Sequence, residues 1–437
     1  MNCEQLDDDN YSISSINEID DIDDIEFFTS DEGGHIIENA LYLIETYINK
    51  NAFIYSDPHY QEIITTDILD IFEIQLCQIY DINNDNKDDF REELSIIIHQ
   101  AFKLFHKHVV PIRSFKRTFI RKLPNIQLLT NTINYLKGKP QPEQKTEEWY
   151  KFRNNTLTAS NIWKAFGTPS MVNQLIYEKC NPSNLSKLTS SIDTPMHWGN
   201  KYEPLSVMVY ENKYKTKIGE FGCILHDEYN FIAASPDGIN IDISSKRYGR
   251  MLEIKNIVNR EINGIPKLEY WIQMQIQMEV CNLNECDFLE TRFLEYESKE
   301  EFDNDGTFNY THDNKLKGTI MMFNKNDSPM YIYSPLHLSE SEFEFWEEET
   351  MEKYNNLVWV KNIYWKLETI SCVLVLRNKE WFKQAVPVLT DVWNTIKREK
   401  LEGSSHRAPK RKITSKKNIN DNELYINKCL IDVKCLK

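Results

Sequence analysis

The sequence predicts an α/β protein with an added α-helical module on its N-terminal side. Three observations carry that prediction. From about Ile36 to Phe119, apolar residues recur at spacings of three and four, the period of amphipathic helices. Between Ala234 and Lys255, two short β-branched runs flank a Ser-Ser-Lys-Arg-Tyr-Gly connection, which is a hairpin signal. Cys372–Leu376 is an unbroken apolar run, as in a strand buried on both faces, and a helical pattern containing Trp381 and Phe382 follows it.

The 437 residues carry 51 Lys and Arg against 67 Asp and Glu, a formal net charge of −16. Twelve of the acids, and no base, fall in residues 1–33, so the rest of the chain carries only −4 and has room for a basic cleft. Residues 1–33 are expected to form an acidic, disordered tail. Residues 34–137 read as the helical module. Its apolar faces are Leu41, Leu43, Ile44 and Ile48, then Ile68, Ile71, Phe72 and Leu76, then Leu94, Ile97, Ile98, Phe102 and Phe105. Within it, Asp81–Glu92 nearly fits an EF-hand loop. Asn86 stands where the turn glycine belongs and Asp88 where an apolar residue does, so a solvated interhelix loop is the favoured reading over calcium. His106 and His108, near a helix end, read as surface groups. Lys116–Lys122 is basic around an aromatic and suits a phosphate backbone or a solvated helix face equally.

A Gly/Pro-broken stretch places a linker at residues 138–145, and a second unit spans 146–400. It opens with a helix that puts Trp149 and Arg153 one turn apart. Thr158 or Ser160 then caps a helix at Asn161–Phe166, which stops at Gly167. A helix start attracts anions, so Arg153 and Ser160 beside it would make a phosphate pocket; on spacing alone, a capping serine and a surface arginine is the plainer reading. Glu203 lies in the early turns of the next helix, a position that the helix dipole alone favours. On the second arm of the hairpin, Glu253 and Lys255 are two apart and share a face, with Ile254 pointing into the core. With Asp237 alongside, two carboxylates and an ammonium converge. Such a group suits a hard divalent cation and phosphodiester hydrolysis.

Tyr270–Val280 alternates apolar and polar residues almost perfectly, which by period alone reads as a strand. Thr319–Phe323 and Met330–Ile332 also read as strands, and Trp365–Leu376 as a strand followed by a helix through Ile396. Arg377 and Trp381 read as packing residues. Residues 401–437 form a basic, flexible tail, in which His406–Lys417 resembles a nuclear-localisation or DNA-tethering segment or a simple solvated tail. No apolar run approaches membrane-spanning length, and the N-terminus is too acidic for a signal peptide. Nine scattered cysteines with no Cys-x-x-Cys point to a reducing compartment and away from a zinc ribbon. The expectation is an intracellular protein without a membrane anchor.

The order of these motifs resembles the YqaJ-like viral recombinase family, which contains the lambda-type exonucleases and lies within the PD-(D/E)xK nucleases. The resemblance rests on Thr146…Trp149…Arg153…Thr158-Ala-Ser160, Gly199…Glu203-Pro, Ser235-Pro-Asp237-Gly, Leu252-Glu253-Ile-Lys255 and Tyr270…Gln273-x-Gln275-x-Gln277-Met. It spans roughly residues 146–295, and the Asn, Ile and Lys richness looks like versions from large DNA viruses. The resemblance implies a restriction-endonuclease-like core, a central mixed β-sheet flanked by helices. It also places Tyr270–Val280 on a helix packed against that sheet, and we follow this over the period.

In activity, the resemblance implies a 5′-to-3′ exonuclease on double-stranded DNA ends. Its cofactor would be Mg2+, with Mn2+ as a substitute and two ions expected. Carried over, Asp237, Glu253 and the Ile254 carbonyl would bind metal, and Glu203 would help hold a second ion. Lys255 would position and activate the attacking water. Gln275 would lie near the metals and the scissile phosphate. Arg153 and Ser160 would bind the DNA 5′ phosphate. A homo-oligomer, a trimer by resemblance, and a single-strand annealing partner are implied too. The setting would be the host cytoplasm, a viral replication compartment or, from the basic tail, the nucleus. A PD-(D/E)xK endonuclease and a non-catalytic DNA-binding scaffold are the alternatives. The presence of Asp237, Glu253 and Lys255 together speaks against the scaffold.

Overall fold

A computed structural model describes residues 27–80, 82–119, 125–142, 146–182, 194–326 and 328–408. The helical N-terminal region comprises α1 (Ser30–Lys50), α2 (Tyr60–Leu76), α3 (Lys87–His108) and α4 (Ile126–Gly138). The mixed region follows as α5 (Glu147–Asn154), β1 (Leu157–Thr158), α6 (Ala159–Ile162), α7 (Pro169–Cys180) and α8 (Pro195–Tyr214). Then come β2 (Ile218–Gly219), β3 (Ile224–Leu225), β4 (Ile232–Ala234), β5 (Gly238–Asn240), β6 (Met251–Asn256) and α9 (Leu268–Cys281). The chain continues through β7 (Glu285–Glu295), α10 (Lys299–Asn304), β8 (Lys317–Lys325), β9 (Ser328–Tyr333), α11 (Glu340–Lys353), β10 (Val358–Leu376) and α12 (Lys379–Glu402). The expected fold class is borne out: a mixed sheet flanked by helices, with a helical region ahead of it.

Seven strands form the main sheet in the order β2-β5-β6-β7-β10-β8-β9, and a small second sheet runs β1-β4-β3. In the main sheet only β6 and β7 run parallel. Parallel neighbours need a crossover of a dozen residues or more, usually a helix, and α9 is that crossover. It is buried on all sides, with Trp271, Met274, Gln275, Ile276, Gln277 and Met278 inside. A helix apolar all round shows no 3.6-residue stripe, which is why the stretch mimics a strand in sequence. The hairpin is also confirmed: β5 and β6 pair antiparallel, Gly238 opposite Leu252.

Two expectations need correction. The folded chain begins inside the stretch expected as a tail. Thr29 and Glu32 form a capping box at the start of α1, and Phe28 is buried against Tyr80 and Phe90. Residues 1–26, and most of the basic tail from 409 on, lie outside the described residues. His106 is not a surface group. Its ring packs among Tyr55, Tyr60, Phe102 and Phe105, its Nε2 meets the Tyr60 hydroxyl at 2.8 Å, and burial lowers its pKa to about 4. In the EF-hand-like loop, the side chains of Asn83 and Asn86 accept backbone N–H groups and close the turn themselves.

The linker at 138–145 marks a change of element type, and packing continues across it. One apolar core runs from α1–α4 into α9 and α12. Tyr55 lies against Trp271 at 5.7 Å, Phe53 against Phe166 at 4.7 Å, and the Arg113 guanidinium donates to the Pro266 carbonyl at 2.7 Å. Part of the basic stretch covers the sheet: Phe115 and Thr118 donate backbone N–H groups to Leu374 and Cys372 of β10. The Thr118 hydroxyl then joins a buried network in which Asp287 of β7 accepts from Arg247, Arg250 and Tyr210. Among the described residues, no helix is long and apolar enough to cross a membrane.

Candidate active site

The site forms where β5 stops pairing with β6. Gly238 is the last residue of β5 opposite β6, so the edge of β6 beyond Leu252 is open on that side. Asp237, just before β5, fills the gap, and its Oδ2 accepts the Ile254 N–H at 2.7 Å. The N–H and C=O of one strand residue point to the same edge, so the Ile254 carbonyl is turned towards Asp237 as well. The Ile254 side chain is buried with Tyr210, Leu252 and Leu289. Glu253 and Lys255 project from the other face, as a two-residue period requires. The Lys255 ammonium donates to Glu253 Oε1 and lies 4.9 Å above the Tyr270 ring.

Two carboxylates are thus held close together, Glu253 fully buried and Asp237 partly so. Burial, then the neighbouring Glu253 charge, then Glu203, push the Asp237 carboxyl well above its usual range, although Lys255 and the Ile254 N–H oppose this. Burial works against the Lys255 ammonium, but Glu253 and Asp237 raise its pKa above the ordinary lysine value. Glu203 is exposed on α8 and contributes its charge to the Asp237 side. α8 is fixed on β6 by Ser206, whose hydroxyl donates to Asn256 Oδ1 at 2.7 Å, and by Asn256, whose amide donates to the Gly199 carbonyl at 3.1 Å.

Gln275 is not near this group, contrary to expectation. It is fully buried on the far side of α9, where its amide donates to the Leu376 carbonyl at 3.0 Å and accepts the Asn378 N–H at 2.7 Å. Its neighbours take the expected place. Gln277 donates to Glu253 Oε2 at 2.8 Å and to the Ser235 carbonyl at 3.2 Å, and Gln273 Oε1 receives a 3.4 Å bond from Lys255. Residues two apart on a helix are separated by about 200°, while residues four apart share a face. The three glutamines therefore split into a site-facing pair and one structural residue. The helical reading of the stretch contained this signal.

Arg153 and Ser160 come together. The guanidinium lies 4.5 Å over the Trp149 ring and donates to Ser160 Oγ at 3.3 Å. Their segment is joined to the acidic group through the second sheet, because β1 pairs with β4 and β4 leads through Ser235 to Asp237. Arg377 and Trp381 serve packing: Arg377 pairs with Glu279, and Trp381 is buried on α12.

The donor set suits a hard cation. Two desolvated carboxylates of like charge repel, and a divalent ion between them relieves that repulsion. The Gln277 amide that donates to Glu253 has a buried Oε1 that accepts no bond. Among the described residues, no three His, Cys, Asp or Glu side chains converge closely enough to hold a metal. A cation here would therefore draw on Asp237, Glu253 and a backbone oxygen.

Residues 148–284 match the model of the YqaJ-like viral recombinase domain. An uncharacterised protein of Acanthamoeba polyphaga mimivirus is 32% identical over 331 residues, which cover 67% of this chain and 58% of that protein. The chain thus spans less than two thirds of that relative's length. Among solved structures, an alkaline exonuclease from Laribacter hongkongensis is 18% identical with a TM-score of 0.35, over 58% of this chain and 94% of the exonuclease. A phage-related exonuclease from Haemophilus somnus is 13% identical with a TM-score of 0.32, over 56% and 94%.

Proposed function

Because the chain carries a YqaJ-like viral recombinase domain at residues 148–284, we propose that it is a metal-dependent DNA exonuclease. It would digest linear duplexes from the 5′ end by phosphodiester hydrolysis, in recombination, repair or replication. The observation that carries the proposal is half-buried Asp237 beside buried Glu253, with Lys255 bonded to Glu253, at the open end of β6. Asp237, Glu253 and the Ile254 carbonyl would hold a divalent ion, Mg2+ in the first place. Glu203, on the adjacent helix, would help hold a second. Metal bound there would neutralise charge on the phosphoryl and leaving oxygens and acidify the attacking water. Lys255 keeps its proton and places a compact positive charge beside the reacting phosphate. Gln277 fixes the second oxygen of Glu253, so that carboxylate meets its ligand in one orientation. Arg153 and Ser160 would take the 5′ phosphate, which gives the enzyme an end to start from and a direction.

The test is digestion of a linear duplex labelled at one end, with and without a 5′ phosphate, against a covalently closed circle. The proposal expects magnesium-dependent release of nucleotides from the linear duplex, faster with the 5′ phosphate, and an intact circle. Cutting of the circle would make the protein an endonuclease. Equal digestion by wild type and by Asp237→Ala or Lys255→Ala would remove the site assignment.

A further inference from the structure

We propose that Lys179 is a third cation of the Arg153–Ser160 site, pinning Arg153 in place and adding its own charge when a terminal phosphate binds. The inference rests on the reading of Arg153 and Ser160 as the seat of the 5′ phosphate.

The starting observation is a buried lysine whose ammonium bonds a carbonyl and makes no ion-pair contact among the described residues. Lys179, on α7, is 6% exposed, and its Nζ donates to the Arg153 carbonyl at 2.7 Å. That carbonyl belongs to the last turn of α5, where a helix has unpartnered C=O groups and the negative end of its dipole. Lys400 of α12 reaches the same turn and donates to the Asn154 carbonyl at 3.3 Å and to Asn155 Oδ1 at 3.2 Å. Two lysines from elements far apart in sequence therefore clamp the end of the helix that carries Arg153.

The surrounding charges do not balance. The groups facing the Lys179 ammonium are Arg153, Lys400, Cys223 and Glu178. Glu178 is engaged by Lys164 at 2.8 Å, and burial raises the Cys223 thiol so that it stays neutral. Burial, Arg153 and Lys400 bring Lys179 down to about 7. Ser235, whose buried hydroxyl meets the Cys223 thiol, lies beside the same cluster. Three cations whose one neighbouring acid, Glu178, is already paired with Lys164 suit an anion supplied from outside. A terminal phosphate monoester carries close to two charges near neutral pH, against one for an internal diester, so the cluster favours an end over the body of a strand.

A sign follows. Without phosphate, Lys179 is about half charged near pH 7. A bound dianion favours the charged form, so binding a phosphorylated end takes up a proton. Preference for that end then weakens as pH rises from about 7 to about 9.

The experiment uses the full chain and two duplexes that differ only in a 5′ phosphate or a 5′ hydroxyl. The readout is the ratio of kcat/KM for the two ends across that pH range. In wild type the ratio should fall as pH rises. Lys179→Met should lower the ratio about tenfold near neutral pH and flatten the profile, and Lys179→Arg should restore it and hold it at high pH. An unchanged ratio in Lys179→Met overturns the inference, as does an equal slowing on both ends, the signature of a structural support. A wild type indifferent to the phosphate overturns the phosphate-site reading itself, a result separate from loss in the variant. Should Lys179→Met fail to fold, calorimetry on wild type without added metal decides. Greater proton uptake with the phosphorylated duplex supports the inference, and equal uptake overturns it.

Discussion

Asp237 is held where its charge is costly. Its folded pKa lies above the unfolded value, so the folded protein binds the extra proton, and stability declines as pH rises from the unfolded value towards the folded one. In chelator at neutral pH, Asp237→Asn should therefore be more stable than wild type by about 0.5–2 kcal/mol while losing activity, the trade-off expected at a functional site. A melting temperature at or below wild type would contradict this. Magnesium should raise the melting temperature of wild type and leave that of Glu253→Gln unmoved. The two glutamines separate cleanly. Gln277→Ala should lower kcat about 10–100-fold, because it frees Glu253 to turn. Gln275→Ala should instead cost about 1–3 kcal/mol of stability in a denaturant titration, by stranding the Leu376 carbonyl and the Asn378 N–H. Most of the site was legible at this scale. Glu253 and Lys255 follow from strand period and Asp237 from the hairpin, whereas the meeting of Arg153 with Ser160 follows from the family resemblance, since spacing alone favours a capping serine and a surface arginine. Gln277 was missed because motif order marks a stretch, and only its helical phase says which glutamine faces the strand. Lys179 escaped because it lies in an unremarkable helix, and its role depends on where α5 ends.

At the scale of elements, the clearest lesson is α9. Its alternation belongs to a helix enclosed by the sheet and by α6 and α12, so polarity follows individual partners and no stripe develops. Each buried polar group has its own contact: Gln275 with the β10–α12 junction, Gln277 with Glu253, Glu279 with Arg377. The hairpin was legible because its two arms are adjacent in sequence. The cover given to β10 by residues 115–118 was not, since nothing local in a basic run announces a strand more than two hundred residues away. The network under that cover gives a sharp expectation. Asp287 accepts from Arg247, Arg250, Tyr210 and Thr118 with no exposure to solvent. Asp287→Ala should cost about 3–5 kcal/mol in a urea titration, because it strips the buried Arg247 guanidinium of its carboxylate and leaves Arg250 with Glu285 alone. A loss below about 1 kcal/mol, the range of an exposed pair, would rule out that role.

For the whole molecule, the helical region and the mixed region share one core. Tyr55 packs on Trp271, Arg113 bonds the loop ahead of α9, and the Trp271 indole donates to the Arg113 carbonyl at 2.8 Å. Residues 146–408 expressed alone should therefore lack a cooperative thermal transition, whereas 27–408 should retain one; circular dichroism distinguishes the two. Composition supported a separate module because the Gly/Pro stretch at 138–145 has the look of a linker. Boundaries read from composition register flexibility of the chain and say nothing of the apolar faces that meet across it.

The long strand β10 closes the sheet late. It lies between β7 and β8, both of which precede it, and its carbonyls also receive the N–H groups of Phe115 and Thr118. During synthesis, the hairpin bearing Asp237, Glu253 and Lys255 leaves the ribosome more than a hundred residues before Leu376, the last residue of β10. Until then β7 has one edge unpaired, and Gln275 has no junction to cap. Contacts this distant in sequence form slowly. A nascent chain therefore carries Asp237, Glu253 and Lys255 without the scaffold that aligns them, so the proposed cutting ability would be acquired only near the end of translation.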